Sequence, residues 1–307
     1  MNNILIIGYG NMAHAIALGI SKRFQESGKK CAEKCVIEVC GRDAKKASEF
    51  ASKIEGVSAR QDSGVKSGAS SSLNSGVDSG MDSRISAPIM PINGNLPIDI
   101  EGAIVILAIK SHGLESFIFK GEAHSVYSVL AGVNISTLKQ HLKAQTFIRL
   151  MPNIGAKLGL SSTAAFIEYA HGREKLESSE LEQKKDEARA LCESFGSVVF
   201  VEKEELIDSA IATSGSSPAF LALIAQALID SGVREGIKHK ESAKLVQKTF
   251  EGVAKLLESH SPQEIIDAIT TPGGTTIEGL SVLEERATRG AIIKAAHASV
   301  AKARGKI

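Results

Sequence analysis

The chain has no tryptophan, and only 4% of its 307 residues are aromatic. A platform of stacked rings for single-stranded nucleic acid therefore has little to be built from. It also lacks a charge excess: 36 Lys+Arg stand against 35 Asp+Glu, a formal +1, whereas a nucleic-acid protein carries a basic field. Cysteines number four, too few for a disulfide scaffold. Cys31, Cys35 and Cys40 lack the C-x2-C pairs of a zinc site, so free thiols in a reducing compartment are expected. The eight histidines include no i, i+4 pair, and no metal site is expected. Met1-Asn2-Asn3 carries no basic residue ahead of the first apolar run, unlike a secretory leader. The longest apolar run, Ala219 to Ala225, is far shorter than the ~20 residues of a membrane span. The expectation is a cytoplasmic chain with neither nucleic acid nor membrane as partner.

What is present is an alternation of strand and helix patterns. Ile4–Ile7 is apolar throughout, as a strand buried on both faces would be. Gly8-Tyr9-Gly10 interrupts it, and Met12, Ala15, Ile16, Gly19 and Ile20 then share one helical face. Val36–Cys40 reads as a second strand, Ala44–Ser52 as a second helix, and Ala103–Ile109 as another doubly buried strand. Such alternation predicts an α/β domain with a parallel sheet. Between these elements, 13 of the 24 residues from Ser63 to Ser86 are Ser or Gly, and prolines follow at 88, 91 and 97. Residues 58–98 therefore read as a flexible surface insertion, whose composition buries too little to offset chain entropy.

Beyond about 175 the pattern reads as helical throughout. Pro218–Ile229 contains one polar residue, Gln226, so that helix has no solvent face and must be covered, most simply at a subunit interface. Ser261-Pro262-Gln263-Glu264 is a capping box with Pro at the first helical position. The predicted division is 1–172 for the α/β domain and 173–307 for an all-α domain.

Two glycine-rich turns carry the chemistry. Gly8-x-Gly10-x-x-Ala13 follows a strand and opens a helix, the context in which a tight backbone turn brings a pyrophosphate onto a helix N-terminus. This predicts a Rossmann-like dinucleotide site. At the end of the second strand, Arg42 suits the 2′-phosphate of NADPH, while Asp43 leaves NADH open. In Thr271-Pro-Gly-Gly-Thr-Thr-Ile-Glu278, Thr275 fits as an N-cap with Glu278 three residues on. Unpaired N–H groups at such a helix start bind a carboxylate well. Ser214-Gly-Ser-Ser-Pro218 reads as a second helix cap; it is not the G-x-S-x-G nucleophile turn. His112 reads as a loop histidine.

Taken in order, these segments resemble the Δ1-pyrroline-5-carboxylate reductase family, which reduces a cyclic imine to L-proline with NAD(P)H. The matching blocks are Gly8–Ala13, Leu107–Lys110, Ala131-Gly132-Val133, Arg149–Asn153, Asp208–Ala219 and Pro272–Thr276 with Leu283-Glu284. The resemblance implies cofactor contacts at Gly8, Tyr9, Gly10, Asn11, Met12, Ala13, Arg42, Ala108, Lys110 and Ala131. It implies substrate contacts at Glu204, Gly274, Thr275 and Thr276, with the Thr276 hydroxyl catalytic. It also implies NADPH (NADH possible) and a homodimer through C-terminal helices, assembled further into a ring of dimers. Ser111 stands where the family usually has Pro, and Ile154-Gly155 where it has Thr-Pro. Those departures leave open a regulatory NADP-binding homologue, and a reductase of a related cyclic imine would keep the same glycine loop.

Overall fold

The computed structural model describes residues 3–26, 36–60, 97–170 and 178–305. They form two compact units, Met1–Asp208 and Ser209–Ile307.

The first unit is organised by the apolar strand β1 (Ile4–Ile7), every residue of which is buried. Ile4 and Ile6 face one core with helix α1 (Asn11–Glu26), while Leu5 and Ile7 face a second core on the other side. Two covered faces explain why this strand shows no polar alternation. Parallel to it lie β2 (Ile37–Cys40) and β5 (Ile104–Leu107), one on each side. β3 (Val57–Ala59), β7 (Glu122–Ser128), β8 (Lys143–Met151), β9 (Ser161–Tyr169) and β10 (Gly196–Phe200) complete the sheet. Its order is β10-β9-β8-β7-β5-β1-β2-β3. β4 (Ile98–Asp99) pairs separately with β6 (Phe119–Lys120).

The expected parallel sheet is present with one antiparallel pair, β9 returning against β8 after the turn at Gly159. Two expectations need correction. The region beyond 175 is not all helical: after α4 (Ser178–Cys192), β10 adds to the sheet parallel to β9. That pairing carries the first unit to Asp208 rather than 172. The proposed insertion 58–98 lies outside the described residues over 61–96, as do Cys31 and Cys35. At its edges, Ser58 and Ala59 belong to β3 and Ile98 to β4, since ladder partners Glu38, Val39 and Phe119 hold them.

The second unit is helical. After the short helix α5 (Glu205–Ser209), a π-helical turn, Ile211–Gly215, leads into α6 (Ser217–Arg234). α7 (His239–Leu256), α8 (Pro262–Ile269), α9 (Thr275–Glu285) and α10 (Thr288–Ala303) follow. The capping box at Ser261 is present with both of its hydrogen bonds. The two other expected caps are not made. At α6 the N-cap is Ser216 with no side-chain bond, because the preceding turn is already helical and Ser217 Oγ donates back to the Thr213 carbonyl. At α9 the N-cap is Gly274, which places Thr275 inside the first turn.

Candidate active site

The register of the sheet builds the site. Ile7 is level with Cys40 on one side and Leu107 on the other, and Leu107 is level with Ser128. The loops leaving β1, β2, β5 and β7 therefore emerge along one edge of the sheet. Backbone bonds continue past the strand ends: Gly8 N–H donates to the Cys40 carbonyl at 2.8 Å, and Ala108 N–H to the Ile7 carbonyl at 2.8 Å. β2 and β5 flank β1 on opposite sides, so the strand order reverses there, and open α/β sheets bind ligands in the crevice at such a point.

A cleft of 610 Å³ lies there, lined by Gly8–Met12, Gly41-Arg42, Ala108–Ser111, Gly113, Phe117, Val129 and Ala131. It gathers Gly8, Tyr9, Gly10, Asn11, Met12, Arg42, Ala108, Lys110 and Ala131, all expected cofactor residues from four separate loops. Ala13 is not a lining residue; it is fully buried under the first turn of α1, in the core. Gly41, Phe117 and Val129 join them without having been singled out in the sequence. Gly41 and Val129 directly follow strand ends, whereas Phe117 follows the 3-10 turn after β5 and carries no such signal.

The cleft fits a dinucleotide. Gly10 has open space where a Cβ would stand, so a phosphate can approach its backbone. The helix begins at Asn11, whose first-turn amides have no intrahelical acceptor. Arg42 is exposed at the far end. Asp43, the competitor for a ribose hydroxyl, is the N-cap of α2 (Ala44–Ala51): its Oδ1 accepts the Lys46 N–H and its Oδ2 faces the Lys46 ammonium. Arg42 is thus the charged side chain of this turn that α2 capping leaves uncommitted.

The two departures from the family pattern both fall in 3-10 turns. Ser111 begins a 3-10 turn, Ser111–Ser116. Gly155 N–H donates to Asn153 Oδ1, a bond that proline could not make, and Asn153 N–H donates to Ser161 Oγ. A Cβ on Gly155 would lie 2.5 Å from the Leu160 carbonyl oxygen, so glycine suits this turn.

Glu204 lies elsewhere in the first unit. Its Oε1 accepts the Ile135 N–H at 2.7 Å and pairs with Arg149 Nη1 at 3.1 Å; Arg149 Nη2 bonds Asp208 Oδ1 at 2.9 Å. Arg149 is buried on β8. Its role as a hub between residues 55 and 59 positions away was not readable from the chain. In the second unit, Gly274 turns the chain with its N–H on the Thr271 carbonyl. Thr275 and Thr276 open α9, the first exposed and the second half-buried. Among the described residues no cluster of His, Cys, Asp and Glu is arranged to hold a metal.

A helix start with open amides at the switch point of a doubly wound sheet, with Arg42 exposed in the same cleft, fits the class of nicotinamide-dinucleotide oxidoreductases. Residues 3–70 match the family model described as NADP oxidoreductase, coenzyme F420-dependent, and residues 204–306 that of pyrroline-5-carboxylate reductase dimerisation. The chain is 39% identical to the pyrroline-5-carboxylate reductase of Helicobacter pylori strain J99, over 99% of this chain and 100% of that protein. Its structure is similar to that of 1-pyrroline-5-carboxylate reductase from Streptococcus pyogenes, with a TM-score of 0.71, 27% identity and 99% and 98% of the two chains covered. The NADP-bound pyrroline carboxylate reductase of Plasmodium falciparum shares the fold, with a TM-score of 0.64, 20% identity and 99% of each chain covered. The chain belongs to the pyrroline-5-carboxylate reductase family. It is an NADP-linked oxidoreductase acting on a CH–NH group, and its reaction yields L-proline, the last step of proline biosynthesis.

Proposed function

We propose a division of labour in which the first unit holds the dinucleotide and the glycine-threonine turn of the second holds the substrate's carboxylate. One observation carries the substrate side. Gly274 is an extended N-cap, φ −80 and ψ 163, with no side-chain cap, so the first amides of α9 have no side-chain acceptor of their own. Such a helix start favours an anion, here the carboxylate of Δ1-pyrroline-5-carboxylate. With the carboxylate on Gly274–Thr276, the Thr276 hydroxyl hydrogen-bonds the ring nitrogen. On the cofactor side, the first-turn amides of α1 take the pyrophosphate, Arg42 takes the 2′-phosphate, and Ala108, Lys110 and Ala131 line the path toward the nicotinamide. When bound, NADPH would supply the hydride to the carbon of the imine, whose nitrogen arrives already protonated from solvent, so that the secondary amine and NADP+ result. The protein's part is placement: it fixes the ring by two groups and stabilises charge at the nitrogen as the carbon is reduced.

We also propose a cytoplasmic homodimer, with rings of dimers as the higher assembly. α6 has no buried residue in the single chain, and Leu221, Leu223 and Leu228 are all exposed on it. The stretch Glu205–Arg234 is long and apolar enough to cross a membrane by length and composition alone. Its place within the match to the dimerisation model, 204–306, favours a second copy of the chain as its cover.

The test is oxidation of NADPH by the purified protein with Δ1-pyrroline-5-carboxylate, with NADH and the six-membered cyclic imine run beside it. Turnover with the five-membered imine and preference for NADPH are expected. NADPH binding without turnover on either imine would overturn the proposal in favour of a regulatory homologue.

A further inference from the structure

Tyr9 occupies the variable position between the two glycines of the first loop, and its half-buried ring is packed against a residue 32 positions later. A Cβ built on Gly41 would fall on that ring, 2.7 Å from Cδ1 and closer still to Cε1. Gly41 is not among the glycines of positive φ, so its backbone conformation does not demand glycine. The ring occupies the space that a side chain there would need.

The contact joins two loops that do different work. Tyr9 belongs to the phosphate-binding turn, whose Gly8 N–H is bonded to the Cys40 carbonyl at 2.8 Å. Gly41 is the first residue beyond β2 and is directly followed by Arg42. On the other side of Arg42, Asp43 caps α2 through the Lys46 N–H. Arg42 is therefore held between a backbone seated under an aromatic ring and a capped helix start, while its own side chain is exposed. An exposed arginine recognises a phosphate well only when its backbone is fixed, because the long side chain otherwise loses rotamer entropy without a set direction.

We infer that Tyr9 is a specificity-positioning residue: its ring, seated on Gly41, fixes the turn from which Arg42 distinguishes NADPH from NADH. This rests on the assignment of Arg42 to the 2′-phosphate, and the experiment separates the two. The readout is the ratio of kcat/KM for NADPH to that for NADH. The ratio cancels any contact of Tyr9 with the part common to both cofactors.

Arg42→Ala tests the assignment itself, and a fall of about tenfold or more is expected for loss of one charge-assisted contact. Tyr9→Ala should lower the same ratio by about threefold to tenfold, mainly through KM for NADPH, and Tyr9→Phe should restore it, since the ring rather than the hydroxyl makes the contact. Gly41→Ala should lower the ratio strongly beside Tyr9 and much less in the Tyr9→Ala background, where the added methyl has room. A ratio that collapses in Arg42→Ala but stays within about twofold in Tyr9→Ala overturns the role of Tyr9 and leaves the Arg42 assignment standing. A ratio unmoved by Arg42→Ala overturns the assignment and the inference with it. Additive effects of Gly41→Ala and Tyr9→Ala would overturn the coupling on which the inference depends.

Discussion

Gly8 and the carbonyl of Ala108 meet so closely that no side chain fits between them. Gly8 has φ +120, and a Cβ there would stand 2.5 Å from the Ala108 oxygen and 2.8 Å from its carbon. The same approach lets β1 and β5 deliver their loops to one cleft. Gly8→Ala combines a backbone that L residues rarely adopt with a clash against main chain, which cannot rotate away. A loss of about 2–4 kcal/mol of stability is expected. Urea unfolding with and without NADPH would show it, as a lowered midpoint and a reduced shift on adding cofactor. An unaltered midpoint would mean that the two strand ends can separate freely.

Thr276 is half-buried in the first turn of α9, and its hydroxyl is the group proposed at the substrate nitrogen. Thr276→Val keeps the shape and removes the hydrogen bond. Steady-state kinetics should show a loss of about 1–3 kcal/mol of transition-state stabilisation in kcat/KM for the imine. KM for NADPH should hardly move. An imine kcat/KM within about twofold of the parent would remove Thr276 from the chemistry.

Local features of the chain were legible and through-space ones were not. β1 and β5 announced themselves because burial on both faces leaves a run of apolar residues. β10 did not: Ser197 and Val199 are exposed while Val198 and Phe200 are half-buried, so an edge strand blended into the surrounding helical pattern. The cap of α9 was misplaced by one residue, because the Thr-x-x-Glu spacing is only permissive. Gly274 bonding back to Thr271 decides where the helix begins. In the site, the glycine loop and Arg42 follow from motif and strand order. The seat of Tyr9 on Gly41 and the grip of Arg149 on Glu204 and Asp208 join residues 32, 55 and 59 positions apart, which no period or spacing encodes.

Leu223 is 72% exposed on α6, a helix without a single buried residue in the isolated chain. An apolar helix left so bare is stable in water only when another surface covers it. Leu223→Glu places a charge on that face and should shift the protein from dimer to monomer in sedimentation velocity, at a cost of several kcal/mol of association. A variant that remains fully dimeric at low protein concentration would place the dimer interface elsewhere.

Cys192, the last residue of α4, is buried, and burial pushes its thiol up from 9.0 to about 12. Burial likewise raises Tyr127 above its usual 10.0. The folded chain keeps the thiol proton up to about pH 12, whereas the unfolded chain releases it from about pH 9. Within that window the unfolded state binds fewer protons, so stability falls as pH rises, by up to about 1.4 kcal/mol per pH unit for each such group. Below the window both states hold the proton and this dependence vanishes. Denaturant midpoints across the alkaline range should fall less steeply in Cys192→Ala. Identical slopes would show that the thiol is open to solvent. Alkylation of Cys192 should likewise require unfolding.

Arg149 is the one buried cation in a cluster with two carboxylates: its side chain is 3% exposed, that of Glu204 22% and that of Asp208 15%. The cluster also takes up the Ile135 N–H, at the start of α3 (Ile135–His141). Burying three charges is costly, and the pairing offsets that cost only while every member is present. Arg149→Met therefore does more than delete two bonds. It leaves Glu204 and Asp208 facing each other with no cation between them, and a loss of about 3–5 kcal/mol is expected. Adding Asp208→Asn should recover part of it, because one of the stranded charges is gone. That recovery separates an electrostatic hub from a mere gap in packing. If the single variant cost less than about 1 kcal/mol, or if the second substitution only added to the damage, the cluster would be a surface ion pair in energetic terms. Glu204 would then owe its position to the Ile135 amide alone.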